Sequence, residues 1–167
     1  QILLSSLENK WGDEVWEHSL KTAYSRTRLK TTTPTFHNAT IGEHPVLFYH
    51  SEVKINSQNR LMGGLEGGQE RAHEPNLHKR SHGGLFLIHT FKPFEPTALK
   101  GGIRFDRYQH LGNQMTFNVG ADQKVTPTTT LRTSYGTNFK PPALSDLFQR
   151  NPWQIPNPFL KPEKSRS

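Results

Sequence analysis

Gln114-Met115-Thr116-Phe117-Asn118-Val119-Gly120-Ala121-Asp122-Gln123-Lys124-Val125 alternates apolar and polar residues. A period of two belongs to a strand, because successive side chains of an extended backbone point to opposite faces. Met115, Phe117, Val119, Ala121 and Val125 share one face, and Gln114, Thr116, Asn118, Asp122 and Lys124 share the other. The next segment repeats the pattern, with Leu131, Thr133, Tyr135 and Phe139 against Thr130, Arg132, Ser134 and Asn138. Upstream, Leu99, Ile103 and Phe105 oppose Lys100, Arg104 and Asp106, while Tyr49, Val53 and Ile55 oppose His50, Glu52 and Lys54. Trp16, Leu20 and Tyr24 likewise oppose Glu17, Lys21 and Ser25, whereas Leu85, Phe86, Leu87 and Ile88 make both faces of 83–92 apolar.

The pattern predicts eight strands, near 1–8, 14–30, 46–56, 60–72, 83–92, 97–107, 114–125 and 129–138, with a ninth starting after Glu163. Short turns are expected at Asn9–Asp13, Ser57–Asn59, Pro93–Pro96 and Thr126–Thr129, and longer loops at 31–45, 73–82, 108–113 and 140–163. Short turns at one rim and long loops at the other are the habit of a transmembrane β-barrel. The polar face also suits a hydrated lumen. A soluble β-sandwich has no reason to sort its loops this way, although alternation alone leaves it open. The fold expected is all-β, with antiparallel up-and-down strands forming part of a transmembrane barrel. Because the pattern opens inside one strand and stops where another should begin, the 167 residues read as a piece of a larger barrel.

Composition agrees. Only 32% of the chain is hydrophobic, below the roughly 45–50% usual for globular domains, so a large dry core is not expected. No apolar run reaches the roughly 18–20 residues of a spanning helix. There is no cysteine, hence no disulfide and no thiolate ligand. Lys and Arg outnumber Asp and Glu by 21 to 14, which favours anionic surroundings. The basic residues are scattered over strands and rims instead of forming one stripe, so nucleic acid is not the expected partner.

Two stretches carry a family resemblance. Leu131-Arg132-Thr133-Ser134-Tyr135-Gly136-Thr137-Asn138-Phe139-Lys140-Pro141-Pro142-Ala143-Leu144-Ser145-Asp146-Leu147-Phe148 is followed by Asn157-Pro158-Phe159-Leu160-Lys161-Pro162-Glu163-Lys164-Ser165. The pair resembles the barrel of TonB-dependent outer-membrane receptors, where a strand ending in SYG-x-x-F-[RK]-x-P-x-L leads across an outside loop to NPNL-x-PE. Phe139, Lys140, Pro142, Asn157, Pro158, Leu160, Pro162 and Glu163 carry the motif. Phe159 stands where the family usually has Asn, and Pro141 where it usually has Ala. Gly102-Ile103-Arg104-Phe105-Asp106, Val119-Gly120-Ala121 and Thr126-Pro127 look like the preceding strands and a periplasmic turn.

The resemblance implies a place in the bacterial outer membrane and uptake of a metal chelate (siderophore) or cobalamin, powered by the TonB complex acting on a plug that this stretch does not contain. It implies no resident cofactor. Haem or zinc uptake is the alternative within the family, although 143–156 lacks the histidine that haem receptors usually place between the two boxes. From other classes, a passive porin-like barrel and a soluble sandwich remain.

The expected ligand contacts lie in the outer loops. Gln149, Arg150, Trp153 and Gln154 combine a cation, an aromatic face and amides, which suit an anionic, partly planar chelate. Six prolines between Pro141 and Pro162 exclude regular ladder pairing and predict a stiff excursion. His78 and His82, with His73, fall in the expected 73–82 loop. Three histidines invite a metal, but no carboxylate or Cys spacing completes a set, so no metal site is assigned. Lys79 and Arg80 are expected to meet lipopolysaccharide phosphate or to attract an anionic chelate. Trp16, Tyr24, Phe91, Phe94, Tyr135 and Phe139 are expected at strand ends, where aromatic girdles anchor barrels in lipid.

Enzyme signatures fail. After His73-Glu74, Pro75 breaks a zincin-type helix and Leu77 replaces its second His. Gly63-Gly64-Leu65-Glu66-Gly67-Gly68 lacks a phosphate-loop lysine, and no G-x-S-x-G occurs. These glycines are expected to admit a close approach within a barrel wall. Asn38-Ala39-Thr40 is a chance sequon if the source is bacterial.

Overall fold

A computed structural model describes residues 1–12, 15–33, 36–74, 76–148 and 155–167. Strands β1 (Ile2–Trp11), β2 (Trp16–Thr33), β3 (Phe36–Lys54), β4 (Asn59–Glu74), β5 (Asn76–Phe91), β6 (Thr97–Tyr108), β7 (Gly112–Lys124) and β8 (Thr130–Lys140) follow one another. A five-residue helix, α1 (Leu144–Phe148), and a short strand, β9 (Glu163–Arg166), complete the order. Each strand pairs antiparallel with the next, giving a nine-stranded up-and-down sheet in sequence order.

The register builds one continuous apolar face. Leu7, Leu20, Tyr49, Leu65, Leu85, Phe105 and Met115 lie side by side across seven strands. Beside that row, Leu87, Ile103 and Phe117 line up, and Val119 pairs with Tyr135. These side chains are not a core. Leu65 is 59% exposed and Val119 51% exposed, and the only buried hydrophobic residues among those described are Leu144 and Leu147. Along β7 and one residue beyond it, the face that starts at Met115 reaches Val125 with Gln123 as its one polar member, which is about 34 Å of extended chain at ~3.4 Å per residue. At the roughly 35–45° tilt of a membrane barrel this projects to about 24–28 Å, close to the ~25 Å apolar band such barrels present to lipid. A water-soluble sandwich would have to cover this face with a second sheet, and none lies against it among the described residues.

Aromatic rings gather on the same face at the short-turn end. Trp11 and Trp16 meet edge to face across the first turn, with centroids 6.3 Å apart. Gly12, with φ of 62°, makes that turn possible. The other short turns are closed by side-chain caps such as Asn56, whose Oδ1 accepts from the backbone N–H of Gln58 at 2.9 Å and Asn59 at 2.8 Å.

At the opposite end the structure corrects the expected loops. Residues 31–45 and 73–82 are largely strand: β2 reaches Thr33, β3 starts at Phe36, β4 reaches Glu74 and β5 starts at Asn76. The ladder continues through Arg71↔Lys79, Ala72↔His78 and His73↔Leu77. Beyond the lipid band both faces of a strand are polar, so the backbone pairing persists while the period-two signal fades. The expected loop at 108–113 is likewise reduced to the three residues between Tyr108 and Gly112, so that among the described residues the long connection is the one that leaves β8, with α1 near its start.

Candidate functional site

The inner face near the long-strand end carries a lattice of paired charges. It arises because β4, β5 and β6 place charged residues at alternate positions: Glu66 and Glu70, Arg80 and His82, Arg104 and Asp106. Arg104 grips Asp106 with both arms, Nε donating to Oδ2 at 2.8 Å and Nη2 to Oδ1 at 2.7 Å. Nη2 also donates to Glu66 Oε2 at 2.9 Å. Glu66 and Asp106 sit either side of Gly84 in one cross-strand row. A Cβ at Gly84 would lie 2.5 Å from Asp106 Oδ1 and 2.8 Å from Arg104 Nη2, so glycine is what lets the three charges converge. Charge-assisted, bidentate pairing of this kind is the strong form of hydrogen bond.

A second unit ties the wall to the long connection. Arg80 is 3% exposed. Its guanidinium donates to Glu70 Oε2 from Nε at 3.1 Å and again from Nη2. Its Nη1 donates to the carbonyl of Pro142 at 2.7 Å, and it lies over the Tyr108 ring at 5.6 Å. His82 stacks on the Tyr108 ring, with centroids 5.2 Å apart, and lies tilted against His44 at 5.3 Å. Phe139 meets Tyr108 edge-on at 5.6 Å. Above them Phe148 of α1 stacks flat on His78, with centroids 4.3 Å apart. Leu144 and Leu147 are buried beneath the helix, which rests on β4 and β5. The start of the connection is thus packed onto the inner wall by one buried cation and four side chains.

The far end of the connection is folded by its own residues. Asn157 donates its N–H to the Asp146 carbonyl at 3.0 Å, and its Oδ1 accepts from the N–H of Phe159 at 3.0 Å. Pro158 between them fixes the turn. Lys140 and Glu163 then face each other as β8 pairs with β9.

The residues singled out from sequence separate into groups. Gln149, Arg150, Trp153 and Gln154 lie outside the described residues. His78 and His82 belong to β5 on the inner face, not to a loop: His82 is 8% exposed and His78 is covered by Phe148. His73 does not converge with them. It lies on the outer face, 3.6 Å from Glu43, because its ladder partner in β5 is Leu77, whose side chain points to the face opposite that of the adjacent His78. Lys79 is exposed as expected, whereas Arg80 is buried on the opposite face and unavailable to lipid. Phe139 leaves the Leu131–Tyr135 face to join Tyr108, since the β7–β8 ladder stops at Asn118↔Gly136. Sequence reading missed the Glu66, Glu70, Arg104 and Asp106 network. Its signal was present in charges repeating at i and i+2 or i+4 within strands.

Comparison with known proteins gives four findings. The sequence profile of the family described as TonB dependent receptor-like, beta-barrel matches residues 5–167. A vitamin B12 transporter, BtuB of Vibrio vulnificus (strain CMCP6), is 34% identical over 88 residues, covering 53% of this chain and 13% of the relative. The siderophore receptor PirA from Pseudomonas aeruginosa superposes with a TM-score of 0.81 at 18% identity, over 99% of this chain and 34% of that one. A variant of the ferric enterobactin receptor from Pseudomonas aeruginosa, in complex with enterobactin, superposes with a TM-score of 0.72 at 15% identity, over 87% of this chain and 26% of that one. The chain therefore spans about a third or less of the length of these relatives.

Proposed function

Because the chain belongs to the TonB-dependent receptor-like β-barrel family, whose barrels lie in the bacterial outer membrane, we propose that it walls an active-transport receptor for a siderophore-type metal chelate or cobalamin. In this reading residues 1–167 all belong to one barrel domain, and a plug elsewhere in the polypeptide answers to the energised TonB complex. The observation that carries it is the inversion of the sheet: large apolar side chains exposed on one face and paired charges buried on the other. Such a wall fits lipid outside and a polar, occupied lumen inside.

The chain's own part is scaffold and rim, not catalysis. Arg80 and α1 hold the start of the long connection against the wall, and Gln149, Arg150, Trp153 and Gln154 follow α1 in sequence, in a stretch whose prolines narrow the conformations of the unfolded chain. We assign these four residues to chelate recognition by charge, stacking and amide hydrogen bonds. Lys79, exposed on the outer face beside Arg71, is assigned to lipopolysaccharide phosphate.

Whole-cell uptake by the intact receptor tests the reading. Labelled cobalamin or a ferric siderophore from a panel should bind with or without TonB but accumulate only when TonB is present. Accumulation that ignores TonB would make the barrel a passive pore. At equal surface expression, Arg150→Ala and Trp153→Ala should weaken binding of the transported compound, and unchanged affinity would remove the loop from recognition.

A further inference from the structure

We propose that His44, Glu70 and His82 form a binding site for a late first-row divalent metal ion of the Zn2+ or Cu2+ class, set into the inner wall of the barrel. One ligating atom from each residue lies within 4.8 Å of the other two. Tetrahedral ligation at roughly 2.0–2.1 Å places donors roughly 3.3 Å apart, so small side-chain adjustments close the set. Two imidazoles and a carboxylate, without thiolate, suit Zn2+ and Cu2+ better than Ca2+ or Mg2+. A fourth position stays open to water or to another donor.

The second observation is the state of the imidazoles. His82 is 8% exposed, and neither its Nδ1 nor Nε2 of His44 has a hydrogen-bond partner among the described residues, although both atoms are buried. Leaving buried polar atoms unpaired is costly, and two of them beside a carboxylate are groups that a bound cation would satisfy. Surrounding groups are arranged as outer-shell support. Nε2 of His82 stands 3.6 Å from Glu66 Oε1, near enough for a ligated ring to orient on that carboxylate. Arg80 engages Oε2 of Glu70, leaving Oε1 to ligate. Across the whole cluster the three carboxylates of Glu66, Glu70 and Asp106 face the two guanidiniums of Arg80 and Arg104, so the pocket tolerates added positive charge.

Gly68 makes room for this arrangement. A Cβ there would lie 2.6 Å from Cε1 and 2.9 Å from Nε2 of His82, so the imidazole lies flat on β4 only over glycine. The site differs from a histidine cluster in a loop: its donors come from three neighbouring strands and are held by ladder pairing. A result of either sign here leaves the uptake reading untouched, because that reading concerns a compound carried through the barrel.

The test uses the intact receptor in detergent, titrated with Zn2+ alone and analysed for bound metal. Wild type should bind one more ion than His44→Gln or the His44→Gln/His82→Gln double variant, and the single substitution should weaken that site more than about tenfold. Equal stoichiometry and affinity in wild type and double variant would overturn the proposal. Should His82→Gln fail to assemble, His44→Gln and X-ray absorption of zinc-loaded wild type decide it. Two imidazole nitrogens in the zinc shell, lost in His44→Gln, are expected. A shell without imidazole would refute the site.

Discussion

Phe105 and Asp106 are neighbours in β6, yet the phenylalanine is 44% exposed and the aspartate 4%. In a water-soluble protein the order would be reversed. The outer face is held by its solvent: apolar side chains at Leu65, Leu85, Phe105 and Met115 need lipid beside them and make few demands on one another's shape. The inner face is held by specific partners, since Asp106, Arg104, Glu66, Glu70 and Arg80 each depend on a named group at hydrogen-bond distance. The same strands therefore tolerate change on one side by chemistry alone and on the other only by geometry.

The largest effects should come from violating each rule. Val119 lies near the middle of the apolar band, and Val119→Arg should destabilise the intact receptor in lipid by about 2–4 kcal/mol, while Asn118→Arg next to it should change little. Denaturant titration in vesicles measures both, and equal sensitivity would reject the assigned faces. Asp106→Ala should follow at about 2–3 kcal/mol, below the 3–5 typical of a broken buried pair because Arg104 keeps Glu66 and is partly exposed. Phe105→Leu in the same strand should cost less than about 1 kcal/mol, so that neighbouring substitutions separate shape tolerance from partner dependence.

Much of this division was legible in the sequence. Alternation from Met115 to Val125 assigned the faces, the strand count was right, and the paired motif placed the long connection. The last residues of β2 and β4 and the first halves of β3 and β5 were not legible, because around Thr31-Thr32-Thr33 and from His78 to Ser81 the residues are polar on both faces and only ladder pairing makes them strand. Nor was the inner lattice. Arg80 and Lys79 are adjacent basic residues with equal claim to solvent, and only the pleat and the position of Pro142 send one inward. α1 was hidden among prolines, since a five-residue helix has no periodicity to detect.

Smaller effects sharpen the picture at the rim. Leu147→Ala should cost about 2 kcal/mol locally, raising amide exchange across 143–148 without changing the unfolding midpoint of the barrel. Global destabilisation would mean that the helix is part of the wall and not a tethered cover. Lys79→Glu should leave folding unchanged and weaken association with lipopolysaccharide-containing vesicles by about 1 kcal/mol at low salt and less as salt rises. A loss that ignores salt would point to a cause other than charge.

Two-sidedness itself is tested most directly by a spin-label scan. This stretch has no native cysteine, so single cysteines at each position from Gln114 to Asp122 can be labelled in the intact receptor, with any cysteine elsewhere replaced, and reconstituted in a bilayer. Collision with oxygen, which concentrates in lipid, should peak at positions 115, 117, 119 and 121, and collision with a water-soluble nickel chelate at 114, 116, 118 and 122. Loss of the two-residue period, or the opposite phase, would contradict a sheet that meets lipid with one face and a polar lumen with the other.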